Sequence, residues 1–339
     1  MFISRRTAIG GLLAAPVILR ATSAQAMTRT LKISHQFPGG SAEKGDFRDR
    51  LVRRFAADVQ ERTKGSLAFE IYPNSSLMKT AAQFSALQHS ALDLSLYPLA
   101  YAGGEVPEAG IGLMPALVTS YQQGMAWKTS EIGHELAELL GKRGVKILAW
   151  IWQAGGIASR STGIVNPEDV KGLKMRGGSR EVDLLLKAAG GIVFPVRSDD
   201  LYAAMQKGSL DAAITSSTSL INFRLQEISK NVTSGRKGSF WFMLEPLLMS
   251  RSVFHSLTPD QQKAVTDAGA AQEDFALAAS RADDDALAEI YGEANVKVAE
   301  FTPDALAKWK AIAEDTAWVD FARRNRACAA LLKLAEAAA

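Results

Sequence analysis

Twice along this chain a short apolar strand gives way to an amphipathic helix and then to another strand, and no other feature narrows the fold as much. In the first round Thr30–Ser34 reads as a strand. Phe47–Thr63 follows as a helix, because Phe47, Leu51, Phe55 and Val59 recur at a spacing of four before Gly65 stops it. Leu67–Tyr72 alternates as a strand into Pro73-Asn74, Thr80–Ser90 reads as a helix, and Leu92–Tyr97 as a strand again. Helical segments between Ser120 and Leu140 lead into Val145–Trp152, the most continuous apolar strand expected in the chain. The second round runs through strand Leu173–Arg176, helix Arg180–Ala189, strand Val193–Val196, helix Ser198–Gln206 and strand Leu210–Ile214. Such alternation requires largely parallel sheets with helices on their faces.

Two rounds of this pattern imply two lobes. Val145–Trp152 would carry the chain from the first to the second, and the apolar run Ser239–Met249 would bring it back. Thr258-Pro259 then opens a helical stretch from about Asp260 to Tyr291, long enough to span both lobes and brace them. The fold class expected is α/β, a two-lobed periplasmic-binding-protein fold with crossover strands, a central cleft and a long bracing helix. The first lobe is drawn as residues 27–153 plus 239–277, the second as 154–238 plus 278–339 with the C-terminal helices. A single α/β enzyme with a large insertion fits the same pattern.

Residues 1–26 read as an export signal. Arg5-Arg6 precedes an apolar stretch from Ala8 to Leu19, and Ala24-Gln25-Ala26 supplies a small-x-small cleavage site. The paired arginines resemble a twin-arginine signal, with a Sec-type signal that happens to carry Arg-Arg as the alternative. The apolar stretch is too short for a membrane span, so no membrane insertion of the mature chain is expected. The whole chain holds 39 Lys+Arg and 36 Asp+Glu; without the three arginines of the signal the mature part balances at 36 of each. A neutral chain of this kind gives no reason to expect nucleic acid as a partner. Cys328 is the sole cysteine, which excludes an intramolecular disulfide and Cys-based metal clusters.

No motif for chemistry emerges. His35, His89, His134 and His255 are scattered without zinc spacing, and the chain lacks a nucleophile elbow, a Walker loop and a dinucleotide fingerprint. Neither a catalytic residue nor a cofactor nor a metal is expected. What stands out is a pair of arginines. Arg160 follows the apolar run that contains Gly155-Gly156, and Arg176 ends another just before Gly177-Gly178. A guanidinium offers a rigid fork of donors matched to a carboxylate, so two of them at strand ends beside one cleft suit an organic acid. Solvated loop arginines would look the same in sequence. Trp152 on the outgoing crossover and Trp241 on the return are candidates to line the cleft, with core packing of a hinge strand as the alternative.

Several segments carry a family resemblance. Phe55–Leu67 (FAADVQERTKGSL), Tyr72–Leu77 (YPNSSL) and Ala86–Leu94 (ALQHSALDL) contribute, and the specific pieces are Asn166–Arg176 (NPEDVKGLKMR) and Asp200–Ala213 (DLYAAMQKGSLDAA). Together they resemble the solute-binding subunit of a tripartite ATP-independent periplasmic (TRAP) transporter, of the dicarboxylate-binding type, over essentially the whole mature chain. The resemblance implies a periplasmic protein that captures an organic carboxylate and hands it to TRAP membrane subunits for ion-driven uptake. It assigns Arg176 as the carboxylate anchor, Arg160 as its helper, and Thr215, Ser216 and Ser217 as further ligand contacts. Ile214-Thr215 stands where metal-using relatives carry Glu-Trp, so hydroxyl groups rather than a metal would meet the ligand. The binding protein of another importer class, or an exported α/β enzyme acting on organic acids, are the alternatives.

Overall fold

Strand formation follows the sequence pattern, but the pairing of strands divides them between two sheets. The structure, a computed structural model, describes residues 28–338; the expected signal at 1–26 lies outside the described residues. In chain order the strands are β1 (Arg29–Ser34), β2 (Leu67–Tyr72), β3 (Leu94–Leu96), β4 (Val145–Ala149), β5 (Trp152–Ser159), β6 (Lys174–Arg176), β7 (Ile192–Val193), β8 (Ala212–Ser216), β9 (Asn231–Ser234), β10 (Phe242–Leu244), β11 (Leu247–Ser250) and β12 (Lys297–Glu300). The first sheet has the order β2-β1-β3-β11-β4, and the second β12-β9-β5-β8-β6-β7, with β10 pairing the start of β5. β1 is parallel to β2 and β3, and β6 is parallel to β7 and β8, as helical crossovers demand.

The two crossovers correct the expected strands. Val145–Trp152 is not one strand: β4 ends at Ala149 in the first sheet and β5 starts at Trp152 in the second. Ser239–Met249 divides in the same way, with Glu245-Pro246 between β10 and β11. The breaks coincide because the two segments run side by side. Leu244 pairs with Trp152 in one sheet, Leu247 pairs with Ala149 in the other, and the Glu245 amide bonds the Ile151 carbonyl between them at 2.8 Å. Pro246, without an N–H, suits the point where the ladder is interrupted. The chain passes from one sheet to the other at 150–151 and returns at 245–246.

The expected long helix is two successive pieces, Pro259–Ala271 and Glu273–Glu293, joined at Gln272. Thr258 opens the first with a capping box to Gln261. That piece packs on helix Phe47–Arg62 and β4 of the first lobe, and the second piece reaches β5, β9, β12 and helix Ser217–Asn222 of the second. The C-terminal helices also straddle the lobes rather than belonging to the second alone. Pro303–Ala313 lies on helix Arg180–Ala188, and Arg326–Ala337 lies on Glu131–Lys142 of the first lobe. Each lobe has its own apolar core, with Leu31, Phe55 and Leu94 in the first and Met205, Leu210 and Tyr291 in the second. A third cluster, containing Trp127, Trp152, Trp241 and Trp309, runs through the crossovers and joins them.

Candidate functional site

Arg176 is the last residue of β6, a three-residue strand held between β8 and β7. The chain turns sharply beyond it, and Ser179 caps helix Arg180–Ala188 by accepting from the Val182 amide. Gly178 has φ +99°, and a Cβ there would come within 2.8 Å of Arg176 Nη1, so the turn has room for the guanidinium only as glycine. The Arg176 side chain is 2% exposed. Its Nε donates to Val196 O at 2.9 Å, Nη1 to Ile214 O at 2.7 Å and Nη2 to the Tyr101 hydroxyl at 2.7 Å.

All three partners are neutral oxygens, and two of the five guanidinium N–H groups remain. The acids nearby are engaged elsewhere. Glu181 binds Arg324 at 2.6 Å, and Asp183 Oδ1 accepts from the Gly177 amide at 3.1 Å. Burial pushes the Asp183 carboxyl up to about 6, against the pull of that amide and of Arg176. Arg176 is thus a buried cation that makes no ion pair among the described residues.

A cavity of about 270 Å³ opens beside it, between segment Leu99–Gly104 of the first lobe and the ends of β6 and β7 of the second. Tyr101 closes one side. Its hydroxyl accepts from Arg176 and from the Ser198 amide at 3.3 Å, and donates to Ser198 Oγ at 3.3 Å, which uses its full hydrogen-bonding capacity. Gln36, just past β1, donates to Ser198 Oγ at 3.1 Å, and Ser75 donates to Asp199 at 3.3 Å. These bonds run from one lobe to the other, so the lobes are closed upon each other at this seam.

The remaining expected site residues divide. Thr215 and Ser216 continue β8 directly from Ile214, whose carbonyl Arg176 holds, Ser217 opens the next helix, and all three are buried. Ser216 caps helix Ser217–Asn222 through the Ser219 amide at 3.2 Å. Arg160 is not brought to Arg176. β5 runs antiparallel to β8, so its end lies where β8 begins: the Arg160 amide bonds Asp211 O at 2.9 Å and its guanidinium rests against Gly208. Trp152 is core, edge-on to Trp127 at 5.1 Å and lying against Gly124. Trp241 supports the site from behind: it covers Gly155 and donates from Nε1 to Gly177 O at 2.8 Å. Gly155 lies inside β5, where any side chain would enter that indole. Gln36, Tyr101, Arg197 and Ser198 carry no motif. Their one sequence signal is position, at or soon after the C-terminal ends of strands, where open α/β sheets place ligands.

A second polar cluster holds the crossovers. Arg48 grips Asp46 with two bonds of 2.9 and 2.7 Å, donates to Ser219 of the other lobe at 2.9 Å and stacks over Phe37 at 3.7 Å. Glu245 approaches Arg48 to 3.6 Å and accepts from the Gln153 amide. Burial raises the Glu245 carboxyl to about 7; Arg48 opposes the rise and Asp46 adds to it.

The family model of bacterial extracellular solute-binding proteins, family 7, matches residues 40–324. The chain belongs to this family. A solute-binding protein of Albidiferax ferrireducens is 53% identical over 328 residues, covering 97% of this chain and 96% of that protein. The crystal structure of a TRAP periplasmic solute-binding protein from Rhodoferax ferrireducens, with bound malonate, matches with a TM-score of 0.90 at 55% identity. It covers 91% of this chain and 98% of that one. The C4-dicarboxylate-binding periplasmic protein of Rhodobacter capsulatus is 24% identical over 314 residues, 91% of each chain. The chain is accordingly a TRAP solute-binding protein and not an enzyme, and the two-sheet architecture is that of the two-lobed binding fold. Among the described residues no helix is long and apolar enough to cross a membrane.

Proposed function

We propose that this TRAP solute-binding protein captures a small organic acid in the periplasm through an Arg176–carboxylate contact and delivers it to TRAP membrane subunits for ion-driven uptake. The observation that carries the reading is Arg176 itself. A buried guanidinium with only neutral partners leaves a charge that costs several kcal/mol unless an anion meets it. Two free N–H groups beside a cavity of about 270 Å³ suit one carboxylate held as a fork. The small cavity favours a short acid such as the malonate bound by the Rhodoferax relative. It argues against an aromatic body, since Trp152 and Trp241 are committed to packing. Closure of the lobes over the ligand excludes water and strengthens the ion pair.

Calorimetric titration of malonate into the mature protein tests this. Arg176→Lys keeps the charge and loses the fork, and should weaken binding by about 10- to 100-fold, close to the effect of Arg176→Ala. Parent-like affinity in the lysine variant refutes the assignment.

A further inference from the structure

We propose that Arg324, on the C-terminal helices, makes the cavity beside Arg176 receptive to an anion by neutralising Glu181; the inference rests on Arg176 as the ligand anchor. Glu181 is the second residue of helix Arg180–Ala188, which opens just after the turn that follows Arg176, and it lines the same cavity. Its side chain is 1% exposed. The first lobe shuts it in from the other side, where a Cβ on Gly110 would collide with Glu181 Oε1. Left without a cation, a buried carboxylate here would face the carboxylate of the ligand across the cavity and work against Arg176.

Arg324 prevents this from outside the cavity, as the last residue of helix Val319–Arg324. Its Nη2 lies 2.6 Å from Glu181 Oε1, yet that oxygen makes no aligned hydrogen bond. The directed bonds of the guanidinium, from Nε at 3.1 Å and Nη2 at 3.0 Å, go to Asp320 Oδ2. What Glu181 receives is therefore charge rather than a fork. Asp320 in turn holds Arg180 at 2.9 Å, so the groups alternate in sign from Arg180 through Asp320 and Arg324 to Glu181. With the Arg324 side chain 13% exposed, solvent ions screen the pair little. Asn325, the next residue, donates to Glu108 of the first lobe at 3.0 Å, and Ser179 donates to Leu113 O at 3.2 Å. The C-terminal helices thus meet both lobes at this point. The other charged groups along the cavity are placed differently: Arg180 is exposed and tied to Asp320, Asp183 accepts from the Gly177 amide, and Arg197 lies over the Tyr101 ring at 4.1 Å. Among the described residues Arg324 is the one ion-pair partner of Glu181.

Calorimetric titration of malonate into the mature protein at about pH 8.5, where a carboxyl raised by burial is ionised, reads the sign of each charge. Arg324→Gln leaves Glu181 uncompensated and should weaken binding about 10- to 30-fold, the scale of one charge a cavity's width away. Glu181→Gln should instead tighten it by about threefold, since Arg324 then adds its charge to the site. The double variant should return to within about threefold of the parent. Arg324→Lys keeps the charge and should stay within about threefold as well, unlike Arg176→Lys, which loses a fork. If the pair served only to pack the helices, both single variants would weaken binding and the double would not recover. That result overturns the assignment, as does an unchanged affinity in Arg324→Gln. A parent that does not bind malonate overturns this inference and the anchor together. Loss of binding in Arg176→Lys, without opposite effects in the two single variants of the pair, upholds the anchor and refutes only the role of Arg324. Melting curves verify that each variant is folded, and should Arg324→Gln not fold, the sign of the Glu181→Gln effect decides alone.

Discussion

Glu245 sits where the two crossovers touch, and its replacement by glutamine should change the pH dependence of stability in a defined direction. The carboxyl is fully buried, and its pKa rises from 4.5 to about 7 in the folded chain, mainly because burial penalises the charge. An acid whose folded pKa is raised stabilises the fold while protonated. That contribution is complete below pH 4.5 and is lost as pH climbs to about 7, because the unfolded chain releases the proton first. Each pH unit between the two pKa values corresponds to about 1.4 kcal/mol, so the whole window is worth about 3 kcal/mol, with the pull of Arg48 already contained in the folded value. Glutamine preserves the shape of the side chain and its capacity to bond Gln153, and it cannot ionise. Arg48 keeps its two bonds to Asp46 in the variant.

Thermal unfolding of ligand-free parent and Glu245→Gln, followed by circular dichroism from pH 4 to 8.5, reads the effect. The stability difference should move in favour of the variant as pH rises through this window, by roughly 5 °C in Tm for about 3 kcal/mol in a chain of this size. A difference that stays constant with pH refutes the reasoning, since it would mean that Glu245 has the same proton affinity in both states.

Three further outcomes follow from the site. Tyr101→Phe removes the hydroxyl that serves Arg176 and Ser198 together, and should weaken malonate binding about tenfold by calorimetry; affinity within twofold of the parent would show that the seam does not depend on it. Gly155→Ala drives a methyl into the Trp241 ring behind Gly177 and should cost about 2 kcal/mol, read as a change in urea midpoint, whereas parent-like stability would mean that the indole moves freely. Arg160→Ala should leave malonate affinity within about twofold, because the residue lies at the far end of β5, and a large loss would restore it to the site.

The parts of this molecule that sequence makes legible are those decided by near neighbours. Helix Phe47–Arg62 and strand β2 appear within a residue of their expected bounds, because a repeat of four, a glycine stop and strict alternation are local signals. Arg176 is legible for the same reason, standing at a strand end before two glycines. Arg160 has nearly the same local setting and the opposite fate. What separates them is strand direction: β6 points its end toward the seam, and β5, entering from the other lobe, points its end away. β5 begins just past the break at 150–151, where the amide of Glu245, far along the chain, bonds the Ile151 carbonyl. Trp152 and Trp241 do not share the cleft for the same cause, since the break hands one to the core beside Trp127 and leaves the other behind Gly177. Strands β9 and β12 carry no comparable signal because they lie outside both rounds of the α/β pattern, and β12 is a polar edge strand. Tyr101 meets Arg176 only across the seam, for no spacing links a tyrosine of one lobe to an arginine of the other. A buried arginine at a strand end can thus be read from its local setting, whereas the contacts that surround it belong to the seam and exist only in the folded, closed molecule.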